Sequence, residues 1–590
     1  MKQFFKYVLA TIVGLVIFGI IVAIFGTMSI VGVVASGEAT KNVSKNSVLV
    51  INLSGGIQEQ ATSNIMSKFT GDGSGAIGLN DLLNAIEKAK DNENIKGIYL
   101  EGGSLGSGFA TAQEVYQALS DFKAAGKWIV SYADNYTQGG YYLASLADKV
   151  MLNPKGSVDI HGIGAQPMFL KDLFKKFGVK MQVVKVGQYK SATETYTEDH
   201  MSDANRQQVE AYIQGIWNNM CNDIQSARNI SSERLNSLAD SMTVFMEPEA
   251  LIEAQLVDTL LYEDKVKDVV KNLLGLEEKE SINQISLEEM KTVKGKRKEG
   301  EEIALYYAFG DIVQNGSANM MSQDHQIIGS NICKDLADLA KDDDVKAVVI
   351  RVNSPGGDAY ASEQIWHAIS ELKEKKPVVI SMGDYAASGG YYMSCPASWI
   401  VAQPNTLTGS IGIFGVIPDP SELVTQKLGV KFDEVKTNRN STMGNALARP
   451  INNEELTMLT ATIQRGYELF RQRVAEGRKL SIEEVEKIAQ GHVWIGQDAL
   501  DIKLVDALGN LDDAIAKAAE LAELDKYYTS NYPGEPDFLD QLLGATDKGT
   551  ALDEHMQAMM GELYMPFKML KSINNREIMQ ARLPFVFNAK

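Results

Sequence analysis

The chain repeats itself at long range. Residues 131–145 (SYADNYTQGGYYLAS) lie over residues 381–395 (SMGDYAASGGYYMSC) at a spacing of 250 positions (389 − 139 = 250), with six of fifteen residues identical. The same spacing superposes residues 95–115 on 345–365, and residues 250–260 mirror 499–509 with a small slip. Self-similarity of this period implies two tandem homologous domains. A length of 590 residues is consistent with that, because it exceeds what a single core usually organises.

Within each copy, short β-branched runs alternate with amphipathic stretches. The runs are 48–53, 97–100 and 128–132 in the first copy, and 303–308, 347–351 and 378–381 in the second. Helical patterns such as 79–90 and 362–373 lie between them, so each copy reads as strand–helix crossovers of an α/β fold with buried parallel strands. Longer helical patterns, 205–228 and 453–479, occupy equivalent places in the two halves. The expected division is an N-terminal anchor and short linker (1–46), a first domain (47–276), a charged linker (277–302), a second domain (303–525) and a C-terminal extension (526–590) without a clear counterpart.

The anchor is expected because Lys2 and Lys6 precede an uncharged apolar stretch, 7–37. It exceeds both the roughly 20 residues needed to span a bilayer and the about 7–15 apolar residues of a cleaved signal peptide, which favours a retained helix. Lys41 and Lys45 follow the stretch, so the positive-inside count leaves orientation to the α-amino group. Fifty-seven basic residues against seventy-six acidic ones give a net charge of −19, which argues against nucleic acid as a partner. Cys221, Cys333 and Cys395 are far apart, lack a CxxC spacing and read as buried thiols.

Two Gly-rich turns follow buried strands, where backbone N–H groups can point into a cleft. One is Asn353-Ser354-Pro355-Gly356-Gly357-Asp358 and the other Ala386-Ala387-Ser388-Gly389-Gly390; both are expected to open helices. A serine at a helix start, with small residues before it and two glycines after it, exposes its Oγ to an approaching substrate. An isolated serine there would read as a helix cap. The repeat argues otherwise: the first copy has Gln138 at this position yet keeps Gly139, Gly140, Tyr141 and Tyr142, so packing does not demand a serine. A complementary asymmetry sets Lys190, in VKVGQYKSATE, over Asn440 in EVKTNRNSTMG. One reactive group remains in each half. A buried lysine, its pKa depressed by up to about 3–5 units, can deprotonate a serine, so a Ser/Lys dyad is chemically sufficient.

With GQYKSATE around Lys190, NSPGGDAYASE, GDYAASGGYYMS around Ser388, TLTGSIGI around Ser410 and HVWIGQDALDIKLVDALG, the chain resembles the signal peptide peptidase A family in its long tandem form, a relative of Clp-type proteases and the crotonase fold. The resemblance runs from about residue 48 to about residue 521. It implies that Ser388 attacks the scissile carbonyl, that Lys190 accepts its proton, that Ser410 orients the lysine, and that backbone amides at Gly357 and Gly389 form the oxyanion hole. It further implies a homotetrameric bowl anchored to the bacterial cytoplasmic membrane, with its body on the outer, periplasmic side. The substrates implied are cleaved signal peptides and other hydrophobic segments, which need apolar pockets.

No cofactor is expected. There is no Walker A motif and no HExxH, and the GxGxxG at 73–78 follows no β-run, so it reads as a surface loop. Two other functions remain open at this stage. A crotonase-like acyl-CoA enzyme also uses backbone oxyanion holes, and a catalytically silent membrane scaffold or chaperone would keep the bowl without the chemistry. Ser388 and Lys190 retained in complementary copies weigh against both.

Overall fold

A computed structural model describes residues 41–61, 76–295, 299–315, 325–534 and 579–583. The apolar stretch at 7–37 and most of the 73–78 loop lie outside them. Among the described residues no helix is long and apolar enough to cross a membrane.

Each half is built on a parallel sheet. In the first, the order is Asn283–Ser286, Ser47–Asn52, Ile95–Glu101, Trp128–Tyr136, Lys149–Val158 and Thr259–Leu260, all parallel. In the second, Tyr527–Tyr532, Glu301–Phe309, Val345–Ser354 and Val378–Ala387 form the equivalent run, followed by Leu407–Gly409 and an antiparallel Val493–Ile495. Runs such as VKAVVIRV are apolar on both sides because helices cover both faces of such sheets, and these strands are buried accordingly. The expected helices form at Leu79–Asp91, Ala359–Lys373, Asp203–Arg228 and Asn453–Arg478.

The stretch 277–302 is more than a linker. Asn283–Ser286 closes one edge of the first sheet and Leu287–Lys291 forms a helix with a capping box at Ser286 and Glu289. Tyr527–Tyr532 closes the corresponding edge of the second sheet, so the repeat continues one strand past residue 521. These edges carry mostly polar, exposed residues, which is why they lack an apolar signature.

The halves do not merely touch. A third, mixed sheet runs Gln326–Ile328, Asp311–Val313, Gly356–Asp358, Met579–Arg582, Phe414–Asp419 and Lys180–Lys185, the last strand coming from the first half. Its pairing is antiparallel, Phe414 to Lys185 through Asp419 to Lys180. Tyr385, Ala387, Leu407, Val493 and Ile495 of the second half are buried in the same apolar cluster as the first half's core. Arg351, itself buried, donates across the junction to Glu59 (3.0 Å) and Glu114 (2.5 Å).

Candidate active site

Ser388 sits between strand Val378–Ala387 and helix Gly389–Ser394 with φ 54° and ψ −113°, a conformation that costs a non-glycine residue about 1–3 kcal/mol. Its hydroxyl makes no cap bond to the helix, so capping does not explain a serine here. The strain is held by its N–H donating to Gly409 O (2.8 Å) and by the Tyr392 N–H donating to Ser388 O (2.8 Å). The first half does the ordinary thing instead. Thr137, at φ −72°, caps helix Gln138–Ala144 by accepting from Gly140 N–H. The Gln138 amide donates to Gly162 O (3.0 Å) and accepts from the N–H groups of His161 (3.0 Å) and Gly162 (2.9 Å), so it fills the position with structural bonds.

Lys190 arrives from the other half. After Lys180–Lys185 pairs with Phe414–Asp419, the chain continues along the second half, with Val186 N–H donating to Ile413 O (3.1 Å) and Tyr189 N–H to Gln490 O (3.0 Å). Gly491, at φ +82°, lies against the Lys190 main chain; a β-carbon there would stand 2.6 Å from Lys190 N, so a side chain has no room. Gln208, on helix Asp203–Arg228, donates to Tyr189 O (3.0 Å) and Ser191 Oγ (3.2 Å) while accepting from Val493 N–H (3.1 Å). One amide thus ties the lysine loop to both halves. His492 stacks on Trp494 and meets Tyr189 edge-on, and its carbonyl accepts from Ser410 N–H (2.7 Å).

These supports bring Lys190 Nζ to 2.7 Å from Ser388 Oγ, and to 2.9 Å from both the carbonyl oxygen and the Oγ of Ser410. All three side chains are buried. Burial drives the lysine well below its usual pKa, which favours the neutral amine. A neutral amine has two N–H donors and one lone pair. The Ser410 carbonyl can only accept and takes one donor, the Ser410 hydroxyl takes the other, and the lone pair is left for the Ser388 O–H. That is the arrangement a base needs before proton transfer.

Gly357 and Gly389 also converge here. A β-carbon on Gly389 would stand 3.2 Å from Gly357 N, so the two glycines meet beside Ser388. The five residues singled out from sequence therefore share one locus, while Asn440, the counterpart of Lys190, lies in irregular chain away from regular elements. Gln208 and Gly491 were not legible in advance. Gln208 carries no motif, and the close approach that requires Gly491 exists only once the halves dock.

Peptidase family S49 matches residues 121–277 and 370–525, and the Clp protease family matches residues 298–403. The chain is 37% identical over 492 residues to a "Protease 4" of Salmonella typhi, covering 82% of this chain and 78% of the relative. A "Protease 4" of Haemophilus influenzae is 33% identical over 523 residues, covering 84% and 82%. The "Serine protease SPPA, chloroplastic" of Arabidopsis thaliana is 31% identical over 488 residues, covering 82% and 70%.

Proposed function

Because the chain belongs to peptidase family S49 and is a serine peptidase of tandem form, we propose that Ser388 is its nucleophile and Lys190 its general base. The observation that carries this is the 2.7 Å contact between Nζ and Oγ, made by a lysine that burial keeps toward its neutral form. Ser388 Oγ adds to the scissile carbonyl as its proton passes to Nζ. The amides of Gly357 and Gly389 receive the oxyanion, and Lys190 returns the proton to the leaving nitrogen. Water, activated by the same amine, then hydrolyses the ester. Ser410 holds the amine throughout and acts as a positioning residue.

The 7–37 stretch acts as a single membrane-spanning anchor in the bacterial cytoplasmic membrane, with the body on the periplasmic side. The substrates are hydrophobic peptides, cleaved signal peptides among them, and the working form is a homotetramer. The relatives' names support the peptidase reading; the length and apolarity of 7–37 support the anchor.

The full chain is assayed on an apolar fluorogenic peptide beside Ser388→Ala, Lys190→Ala and Asn440→Ala. Activity lost in the first two and kept in the third is the expected result. Unchanged hydrolysis in Ser388→Ala would mean the nucleophile is misassigned, and a folded parent inert to many peptides would favour a scaffold.

A further inference from the structure

Strand Met579–Arg582 takes no part in the steps above, yet it lies across them. It runs antiparallel between Gly356–Asp358 on one side and Phe414–Asp419 on the other. The registers set Gly356 against Arg582, Gly357 against Ala581 and Asp358 against Gln580, with Phe414 against Gln580 and Gly415 against Met579 on the far side. Leu583 N–H donates to Pro355 O (2.7 Å). Hydrogen-bonded and open pairs alternate along an antiparallel ladder, so the pair two steps inward, Ala581 with Gly357, is a hydrogen-bonded one. The Gly357 N–H is thereby aimed at the Ala581 carbonyl. That same oxygen lies 3.0 Å from where a β-carbon of Gly389 would be. The two glycines assigned to the oxyanion hole therefore flank one carbonyl, and it belongs to this chain.

We propose that the C-terminal segment is a substrate of its own site: Ser388 cuts the Ala581–Arg582 bond, and until it does, residues 579–583 fill the groove and exclude other peptides. The inference rests on the Ser388 and Lys190 assignment. The side chains around the bond fit a recognised sequence. Ala581 is fully buried, with room for a small residue before the cut. Arg582, after it, makes a two-pronged pair with Asp311, Nη1 to Oδ2 at 3.0 Å and Nη2 to Oδ1 at 3.1 Å. Leu583 is buried in the apolar cluster of the first half. Main-chain pairing on both sides supplies affinity, as when an extended peptide adds to a sheet, and these side chains supply register.

In the cut, Ser388 Oγ bonds to the Ala581 carbonyl carbon while its proton goes to Lys190. The carbon–nitrogen bond to Arg582 breaks, and Lys190 protonates the departing amine. Water then adds to the Ala581 ester, giving the Ala581 carboxylate and restoring the Ser388 hydroxyl, and residues 582–590 leave as a free peptide.

Intact-mass measurement on the purified full chain tests this, with hydrolysis of an apolar fluorogenic peptide followed in the same samples. The parent should end at Ala581, Ser388→Ala should keep residue 590, and hydrolysis of the added peptide should rise as the tail is lost. A chain terminated after Ala581 should hydrolyse it without a lag. Arg582→Asp should slow tail loss about tenfold, and combining it with Asp311→Arg should restore the rate. A parent that hydrolyses added peptide but keeps its tail overturns the inference and leaves the dyad standing. Tail loss in Ser388→Ala assigns the cut to another protease and also overturns it. A folded parent that does neither overturns the dyad reading as well.

Discussion

Replacing Ser410 with alanine removes one of the bonds that hold the Lys190 amine and spares the other, because the Ser410 carbonyl at 2.9 Å remains. To the neutral amine the lost bond is worth about 0.5–1.5 kcal/mol; once the lysine has taken the serine proton, the same bond is to an ammonium and is worth about 1.5–3 kcal/mol. Only the difference, roughly 1–1.5 kcal/mol, slows the chemical step, so kcat should fall about 5- to 15-fold with KM nearly unchanged. The pH profile gives an independent readout. The neutral amine is the active base, so kcat rises with pH through the lysine pKa. The Ser410 Oγ favours the charged amine by accepting from it, and its removal lowers that pKa further, moving the acid limb to lower pH. Ser410 lies at φ 50°, which alanine tolerates about as well as serine, so the fold should hold. Initial rates on an apolar fluorogenic peptide across the pH range decide the matter. An unchanged kcat, or an acid limb displaced upward, would refute the role of Ser410.

Lys190→Met should abolish hydrolysis and raise stability at neutral pH. The buried amine binds its proton more weakly folded than unfolded. The unfolded chain therefore binds more protons between the folded pKa and lysine's usual value of about 10.4, and the parent gains stability as pH rises through that window. Urea midpoints of parent and variant should converge at alkaline pH. Arg351→Met strands Glu59 and Glu114 in the core and should cost about 3–5 kcal/mol by urea denaturation, most of it recovered when both glutamates become glutamine. Gln138→Ala frees the amides of His161 and Gly162 and should cost about 1–3 kcal/mol while leaving peptide hydrolysis intact.

The sheets and long helices were readable because their residues advertise a period. Residues 347–351 and 378–381 sit inside strands Val345–Ser354 and Val378–Ala387, and residues 205–228 fall within helix Asp203–Arg228. Ser388 and Lys190 were readable for a different reason: the repeat supplies an internal control, and Gln138 and Asn440 show what each position looks like without its reactive group. Their 2.7 Å contact was not readable, since it depends on strand Lys180–Lys185 pairing with Phe414–Asp419, two runs with no shared sequence signal. Edge strands such as Asn283–Ser286 were missed because a strand with one apolar neighbour needs little apolar pattern. Met579–Arg582 was missed because four residues cannot declare a period, and what makes that strand is the pair of strands that receive it.

The amine and the hydroxyl stand 198 positions apart in the chain (388 − 190 = 198). At a synthesis rate of about 5–20 residues per second, roughly 10–40 s pass between the emergence of one and the other. Through that interval the nascent first half holds a lysine with no serine to activate. The Lys190 loop also lacks Gln490, Gly491 and Val493, against which it is fixed. The duplication therefore works as a timer on translation: a chain still being made, or one released early, has no assembled site with which to cut itself or its neighbours.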